Sequence, residues 1–163
     1  MELKRRLNPK YVFGLIYFLC FGIFLRLGFE PAEATVYDVT TELSIPSINL
    51  VSDVATLKLN NHRLDTPDYI VGSFSRANNK TLLIGHSSSV FKDLKNVKVG
   101  EPIIYDESSY RVTDIKLLEK DDIDMNSLLS SEEVSTLVLM TCAGESLANQ
   151  DATHRLIITA EVE

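Results

Sequence analysis

The chain has 163 residues, enough for one domain with an appendage. Hydrophobic residues make up 45% of it and charged residues 24%, proportions that are typical of a globular protein with a packed core. The formal net charge of −7 is unevenly spread: residues 1–34 contain five Lys or Arg and three Asp or Glu, whereas residues 35–163 contain eleven and twenty. The acidic part has no basic stripe, which argues against nucleic-acid binding.

The N-terminus predicts a membrane anchor. Residues 1–10 form a basic tail, and the apolar run Tyr11–Phe29 follows it. As a helix rising about 1.5 Å per residue, this run would be roughly 28 Å long, just enough to cross a bilayer. Arg26 lies near its far end and could reach the lipid head groups. The positive-inside rule then predicts a single-pass protein of the cell membrane, with a cytoplasmic N-terminus and an extracytoplasmic domain.

A cleaved signal peptide is the competing interpretation, because Ala32-Glu33-Ala34 has the A-x-A form of a cleavage site. The apolar run is long for a signal peptide, which favours an uncleaved anchor at residues 11–29. Both interpretations export the remainder: a polar stalk or linker at residues 30–43 and a folded domain at residues 44–163.

Short strands and turns dominate the exported domain. Ser44–Leu50 indicates an edge-like strand interrupted by Pro46. Tyr69–Phe74 is a further short strand, and Lys80–Gly85 is apolar on both faces, as expected of a central strand. Residues 87–97 combine serines with apolar side chains at helical spacing, which predicts a short helix or turn.

The second half of the domain follows the same pattern. Pro102–Tyr105 and Tyr110–Leu118 form a predicted hairpin. The apolar parity changes within its second arm, and a β-bulge near Thr113-Asp114 would explain the change. Residues 121–134 are a connection, with a predicted helical turn at Ser127–Ser130.

Two strands end the chain. Residues 137–142 are an apolar run that ends in Thr141-Cys142, and residues 154–162 alternate, with the even-numbered positions from Leu156 onward apolar. Arg155 has the opposite parity, so it is expected to point away from the core into a groove outside the sheet. Many short strands with turn signals and little helix predict an all-β sandwich or barrel.

The two cysteines cannot pair within one chain, because Cys20 lies in the apolar N-terminal run and Cys142 in the exported domain. An unpaired thiol in an oxidising compartment is a liability unless it is buried, paired between chains or used in chemistry. A small buried core residue is the alternative interpretation. Because Cys142 ends a strand and precedes Ala143-Gly144, a predicted turn, the pattern favours a rim position and a chemical role.

His86 and Arg155 complete a candidate catalytic set with Cys142. A thiol attacks carbonyl groups as its thiolate, and a nearby imidazole can hold the proton or return it to a leaving amine. A fixed guanidinium can stabilise the oxyanion that attack creates. The three groups suffice for acyl transfer through a thioester, although His86 could be a structural histidine and Arg155 a surface residue paired with the acidic excess.

At these residues the sequence resembles the sortases, membrane-anchored cysteine transpeptidases of the bacterial surface. The resemblance covers nearly the whole exported domain. The first-strand motif is Ile45–Leu50, and the histidine block is Ile84-Gly85-His86-Ser87 with Phe91, Leu94 and Gly100-Glu101. The TLxTC-like block is Val138–Cys142, and the arginine strand is His154–Ile158. Val138 replaces the first threonine of the TLxTC block, a departure that does not touch the chemistry.

The resemblance implies a closed eight-stranded β-barrel with one or two short helices. It implies that Cys142 attacks a backbone carbonyl in the C-terminal sorting motif of a substrate protein, often LPxTG-like, and that an amine on the cell wall or a pilin resolves the acyl-enzyme. His86 would be the acid and base, and Arg155 would bind substrate and the oxyanion. The loop between Asn60 and Asn79 is expected to read the motif, and three further residues are expected to bind substrate: Ile84, Leu139 and Thr141. Thr141 could instead only support the strand end.

Two other functions stay open. One is a thiol hydrolase that uses the same site, with water resolving the acyl-enzyme. The other is a non-catalytic, anchored β-domain that binds a surface ligand.

No cofactor or metal is expected. A zinc site would need four residues that lack close ligand spacing, His62, His86, His154 and Cys142, and His154 has the parity of a packing residue. A calcium site would need the acidic loop residues, whose charges are more often solvated: Glu119, Asp121, Asp122 and Asp124.

Overall fold

The computed structural model describes residues 37–60, 63–76, 79–147 and 151–163. Tyr37–Glu163 form one compact unit. The predicted basic tail, the anchor at residues 11–29, the A-x-A site, Cys20 and His62 lie outside the described residues. Within the described part, no helix is long and apolar enough to cross a membrane.

The described residues form ten strands and one short α-helix, joined by turns. The strands are β1 (Val39–Ile45), β2 (Leu50–Thr56), β3 (Leu59–Asn60), β4 (Arg63–Leu64), β5 (Val71–Phe74), β6 (Lys80–Ile84), β7 (Pro102–Tyr105), β8 (Ser108–Glu119), β9 (Thr136–Ser146) and β10 (Ala152–Val162). The helix is α1 (Met125–Leu128), and three single turns of 3₁₀ helix lie at Pro46–Ile48, Leu94–Asn96 and Lys120–Asp122.

Eight of these strands close into a barrel in the order β1-β2-β5-β6-β9-β10-β8-β7, and β7 pairs with β1 to complete the circle. Neighbouring strands are antiparallel except for β2–β5 and β6–β9, which are parallel. The two remaining strands, β3 and β4, pair only with each other. The prediction of a closed, eight-stranded all-β barrel with little helix is therefore confirmed.

The β7–β8 hairpin shows how local sequence sets the register. Asp106 and Glu107 both have positive φ, 49° and 62°, as expected of the tight turn that joins two antiparallel strands with matching twist. Further along β8, Asp114 pairs with Thr159 and Val112 pairs with Ala160, so Thr113 is an extra residue without a partner on β10. This is the bulge that the change of parity predicts.

The barrel interior holds the main core. Its wholly buried members come from all parts of the circle and include Leu43, Ile45, Val54, Val71, Leu83, Ile103, Leu137, Leu139 and Ile158. Phe91 and Leu94, which follow β6, close one part of this cluster although residues 87–93 form turns and only Leu94–Asn96 is helical. Of the two predicted alternatives for residues 87–97, a short helix or a turn, the structure shows mainly turns, with one 3₁₀ turn at Leu94–Asn96, and their apolar side chains reach the core.

A second apolar cluster lies on the outer face of the barrel. Leu82, Val138 and Ile157 are buried there, with Met140 and Leu118 packed against them. The connection between β8 and β9 covers this face with Ile123, Leu128 and Leu129. The face of the last strand that carries Ile157 was expected to be mostly polar, and the covering connection is the reason that this residue is buried.

Three predicted boundaries differ from the structure. β1 begins at Val39, so residues 39–43 of the predicted stalk belong to the barrel. Only Leu43 and Ile45 of β1 are buried, and its exposed first half lacks the alternation that marks a strand. The predicted strand at Ser44–Leu50 instead turns at Pro46–Ile48 between β1 and β2. The helical turn of the connection lies two residues earlier than expected, because the Asp124 carboxylate caps it by accepting from the Asn126 N–H at 2.9 Å.

Candidate active site

Two parallel strands bring the candidate histidine and cysteine together. Ile84 at the end of β6 pairs with Met140 of β9, and the Gly85 N–H continues the ladder to the Met140 carbonyl at 3.4 Å. The Thr141 hydroxyl donates to the Gly85 carbonyl at 2.8 Å. His86, two residues beyond β6, and Cys142 therefore line the same groove. Cys142 was expected to end its strand, but β9 continues past it to Ser146, because residues 143–146 go on pairing with β10.

The turn after β6 is tight because Gly85 has no side chain. A Cβ there would lie 2.6 Å from a Val90 methyl and 2.7 Å from the Phe91 ring, too close for any other residue without movement. The His86 carbonyl accepts from the Ser89 and Phe91 N–H groups, at 3.2 and 3.0 Å. These bonds fix the histidine backbone while leaving 43% of its side chain exposed.

Cys142 and Arg155 are paired residues on the antiparallel strands β9 and β10. Side chains of directly paired residues lie on the same face of a sheet, with Cβ atoms about 4.5–5.5 Å apart. Cys142 is half-buried and carries a free thiol. The structure therefore places the half-buried thiol and the Arg155 side chain on the same face of the sheet.

A network at the start of β10 holds the guanidinium of Arg155. Its Nη1 donates to the Ala152 carbonyl at 3.0 Å and to the His154 carbonyl at 2.9 Å, and its Nη2 donates to Asp151 Oδ1 at 2.6 Å. Asp151 also accepts from Lys120 Nζ and from the Ala152 N–H. These hydrogen bonds hold the pKa of the Asp151 carboxyl well below its usual range. The bond from Lys120 lowers the pKa most, and those from the Ala152 N–H and Arg155 lower it further. Only 14% of the Arg155 side chain is exposed.

A carboxylate also lies near the histidine. Asp68 Oδ1 is 3.9 Å from His86 Nε2, at the outer limit of an ion pair, and the Asp68 side chain is 84% exposed. The Ser89 hydroxyl donates to the Asp68 backbone carbonyl, so the loop before β5 is tied to the turn that carries His86.

All three candidate catalytic residues line one groove of about 760 Å³. Its other walls are mainly apolar and come from three parts of the chain: Leu59, Leu64 and Phe74; Ile84 and Met140; and Met125 and Leu129. The structure thus assembles His86, Cys142 and Arg155 in one mainly apolar groove. Leu64, Phe74 and Arg76, from the segment between Asn60 and Asn79 that is expected to read the motif, line this groove.

The structure places the three residues that were expected to bind substrate in different environments. Ile84 lines the groove. Thr141 also borders it but is 4% exposed, and its hydroxyl donates to the Gly85 carbonyl, so it ties β9 to the turn before His86. Leu139 is wholly buried inside the barrel, so the expectation that it binds substrate is wrong. Met140, which has the parity of Cys142, takes the groove position instead.

His154 does not pack into the apolar core as its parity suggested. It is half-buried, and its Nδ1 is 2.8 Å from the Thr153 hydroxyl. It pairs with Ala143 across β9, near Gly144, where a Cβ would lie 2.7 Å from the imidazole.

Among the described residues, no group of three or more His, Cys, Asp or Glu side chains is placed to hold a metal ion. In the acidic loop, Asp124 is engaged as a helix cap. Asp121 and Asp122 belong to the 3₁₀ turn that ends β8.

Sequence reasoning missed several site residues. Met125 and Leu129 reach the groove from the connection, and nothing in their local pattern signals it. Asp151 and Asp68 are loop carboxylates whose partners lie on other segments or across a turn. Met140 was detectable, because it lies two residues before Cys142 on the same face of a strand.

A closed β-barrel with a thiol, an imidazole and a guanidinium at one groove defines a small class of proteins. The sortase domain family matches residues 43–163, about three quarters of the chain. The chain belongs to the sortase family.

Solved sortase structures share the fold at low sequence identity. Sortase A from Corynebacterium diphtheriae matches with a TM-score of 0.63 and 20% identity, over 80% of this chain and 63% of that one. Listeria monocytogenes sortase A matches with a TM-score of 0.59 and 19% identity, over 77% of this chain and 87% of that one. Clostridium perfringens sortase C, solved with the C-terminal cell wall sorting motif, matches with a TM-score of 0.59 and 20% identity, over 97% of this chain and 92% of that one.

This chain therefore spans less than two thirds of the length of the diphtherial sortase A, while it spans most of the other two. No curated protein matches the chain at a significant level.

Proposed function

We propose that this protein is a cysteine transpeptidase that cleaves a C-terminal sorting motif and transfers the acyl group to an amine on the cell wall or a pilin. The observation that carries the proposal is the convergence of His86, Cys142 and Arg155 on one apolar groove. Family membership supports it, because a sortase domain accounts for nearly the whole barrel.

In the first half-reaction, Cys142 attacks as a thiolate and His86 carries the proton as imidazolium. The sulfur bonds to the carbonyl carbon of the scissile peptide, and the carbonyl oxygen becomes an oxyanion. When the carbon–nitrogen bond breaks, His86 gives its proton to the departing amine. The product is a thioester between the substrate and Cys142. An incoming amine reverses these steps: it gives a proton to His86, forms a new amide bond and releases the thiolate.

Arg155 is suited to hold the oxyanion. Its Nη1 already has two acceptors for two hydrogens, and Nη2 gives one hydrogen to Asp151. The Nε–H and the second Nη2 hydrogen then form the edge that is offered to a substrate oxygen. A fixed donor of this kind, aimed at a developing oxyanion, is worth roughly 3–4 kcal/mol of barrier.

The groove suits an extended peptide with apolar side chains on the acyl side of the scissile bond. Its mainly apolar walls include Ile84, Met140 and the connection residues Met125 and Leu129. An LPxTG-like motif satisfies this requirement, and the clostridial sortase C was solved with a C-terminal cell wall sorting motif. Residues 11–29 would anchor the enzyme in the cell membrane, with the barrel on the extracytoplasmic side, where substrates emerge.

The test is whether an acyl-enzyme forms when the protein is incubated with a sorting-motif peptide. The adduct is detected by intact-mass spectrometry. The parent protein gains the mass of the acyl fragment, and Cys142→Ala gains none. Cys20→Ala is the matched control, because it removes the other thiol and should leave the adduct unchanged. An adduct that survives Cys142→Ala would refute the assignment.

The second half-reaction decides between the remaining functions. Added amine should appear in the product of the transpeptidase, whereas a thiol hydrolase would release only the free acid. A protein that binds the peptide equally well with and without Cys142, and forms no adduct, would be a binding domain. The proposed mechanism uses no metal, so adduct formation should be the same in a chelator and in excess calcium.

A further inference from the structure

A second arginine lines the apolar groove besides Arg155. Arg76 follows β5, two residues beyond Phe74, and its exposed side chain borders the same groove as Cys142. The proposed reaction uses the guanidinium of Arg155 and leaves that of Arg76 without a role.

The two arginines differ in how their charges are compensated. The Arg155 guanidinium is paired with Asp151 at 2.6 Å. Among the described residues, the Arg76 guanidinium has no carboxylate partner, and no described residue that lines the groove carries a carboxylate. Lys80 at the start of β6 already takes the Glu132 carboxylate of the connection, at 2.9 Å. The charge of Arg76 is therefore available to a carboxylate that enters the groove from outside.

The pairing of the strands gives the distance between this charge and the thiol. Phe74 of β5 pairs with Leu82 of β6, and Leu82 pairs with Val138, which lies four residues before Cys142 on β9. Strands rise about 3.3 Å per residue, so this row of residues lies about 13 Å from Cys142 along the strands.

Arg76 lies further from the thiol than this row. Because β5 runs antiparallel to β6, the two residues that follow Phe74 lead away from Cys142. The hydroxyls of Ser75 and Thr81 are 3.0 Å apart, so the chain stays beside β6 at this point. Arg76 is therefore about 13–20 Å from Cys142 along the strands, a span that an extended peptide covers with about four to six residues.

We propose that Arg76 makes the enzyme select substrates that carry an acidic residue just before the sorting motif. The inference rests on the proposed function, because it takes the acyl side of the peptide to occupy the apolar groove. An LPxTG-like motif that is cleaved after its threonine places Leu, Pro, x and Thr on that side. The glutamate or aspartate that pairs with Arg76 then lies at about the fifth or sixth position before the scissile bond.

The size of the effect follows from the exposure of Arg76. A guanidinium pairs with a carboxylate through two parallel hydrogen bonds as well as by charge. Water and salt screen such a pair at an exposed side chain, so the expected preference for a glutamate peptide over a glutamine peptide is about three- to fivefold in kcat/KM. The preference should shrink when the salt concentration is raised from about 0.05 M to about 0.5 M.

The experiment uses three sorting-motif peptides that differ only at the fifth and sixth positions before the scissile bond, where they carry glutamate, glutamine or lysine. The kcat/KM of acylation is measured with the purified full-length protein, from release of the C-terminal fragment. The parent should prefer the glutamate peptide and use the lysine peptide least. Arg76→Gln should lose the preference, and Arg76→Glu should reverse it in favour of lysine.

Two variants serve as controls. Arg76→Lys keeps the charge and loses the paired donors, so it should retain part of the preference. Lys58→Gln removes an exposed positive charge that does not line the groove, and it should leave the preference as it is in the parent.

Two results would overturn the inference: equal kcat/KM values for the glutamate and glutamine peptides in the parent, or a preference that survives Arg76→Gln. A preference that Lys58→Gln removes to the same extent would also count against it, because net charge and not Arg76 would then be the cause.

Binding of the same peptides to Cys142→Ala, measured by fluorescence anisotropy, separates this inference from the proposed function. If the parent forms no acyl-enzyme but Cys142→Ala binds the glutamate peptide most tightly, and Arg76→Gln in that background removes the difference, the transpeptidase assignment fails and the role of Arg76 stands. If neither acylation nor binding distinguishes the peptides, the role of Arg76 is refuted.

Discussion

Replacing Asp151 with alanine tests whether the network at the start of β10 stabilises the site. The change removes the acceptor of Arg155 Nη2, at 2.6 Å, and that of the Ala152 N–H, at 2.8 Å. The Arg155 and Asp151 side chains are only 14% and 18% exposed, so water replaces the lost carboxylate poorly. The Lys120 side chain is 47% exposed and can be resolvated, so its pair with Asp151 should contribute little.

The expected loss of stability is about 2 kcal/mol, since hydrogen bonds to charged groups are each worth about 1.5–3 kcal/mol and Arg155 keeps its two carbonyl acceptors. For a domain of this size that corresponds to a fall in Tm of about 6–10 °C. Asp151→Asn keeps an oxygen acceptor and loses only the charge, so the Tm of this variant should fall about half as far as that of Asp151→Ala. Asp114→Ala, which breaks an exposed pair with Lys116 on β8, should leave the Tm almost unchanged.

The dependence on pH gives this prediction a sign. The pKa of Asp151 is lowered in the folded protein by hydrogen bonds from Lys120, Ala152 and Arg155. A carboxyl whose pKa is lowered on folding contributes stability above its unfolded pKa, about 3.9, and loses that contribution as the pH falls below it. The difference in Tm between the parent and Asp151→Ala should therefore be full at pH 7 and shrink towards pH 3. A Tm of Asp151→Ala within 2 °C of the parent at pH 7, or a gap that is the same at pH 3, would refute the reasoning.

Two further predictions concern the strands that carry the site, both measured by thermal unfolding. Gly144 has a φ of 81°, and a Cβ there would lie 2.7 Å from His154, whereas Gly100 has a φ of 89° and open space around it. Gly100→Ala should cost about 1 kcal/mol of backbone strain, and Gly144→Ala distinctly more; equal losses would show that the contact is not tight. Leu139→Ala leaves a cavity in the barrel interior and should cost about 2–5 kcal/mol, while Leu117→Ala, on the exposed side of β8, should have little effect. Similar losses for the two leucines would contradict their assigned positions.

Much of the barrel follows from local patterns in the sequence. The apolar run of β6, the alternation of β10 and the turn at Asp106-Glu107 each mark an element through neighbouring residues alone. The bulge at Thr113 is a clear case, because a single change of parity within one strand has only one simple structural explanation.

The apolar residues of β9 do not by themselves show which face is the inside of the barrel; only the parity of Cys142 distinguishes Met140 from Leu139. Leu137, Val138, Leu139 and Met140 are all apolar, because one face packs in the interior and the other beneath the connection between β8 and β9. Without a polar face, alternation carries no information about direction. For this reason Leu139 was expected to bind substrate, and Met140 took that position in the structure.

By itself, the sequence determined an all-β fold of short strands and named Cys142, His86 and Arg155 as a candidate set, because strand periodicity is a local property. The resemblance to the sortases added the closed barrel and the catalytic roles. Only the tertiary structure decided where the apolar groove runs, how Asp151 holds the guanidinium and why Asp68 lies beside the imidazole. These features depend on loops that are distant in sequence and meet only when the barrel closes. The charge and shape of the site are set where these loops meet, and the loop sequences have no helical or strand periodicity from which their positions could be predicted.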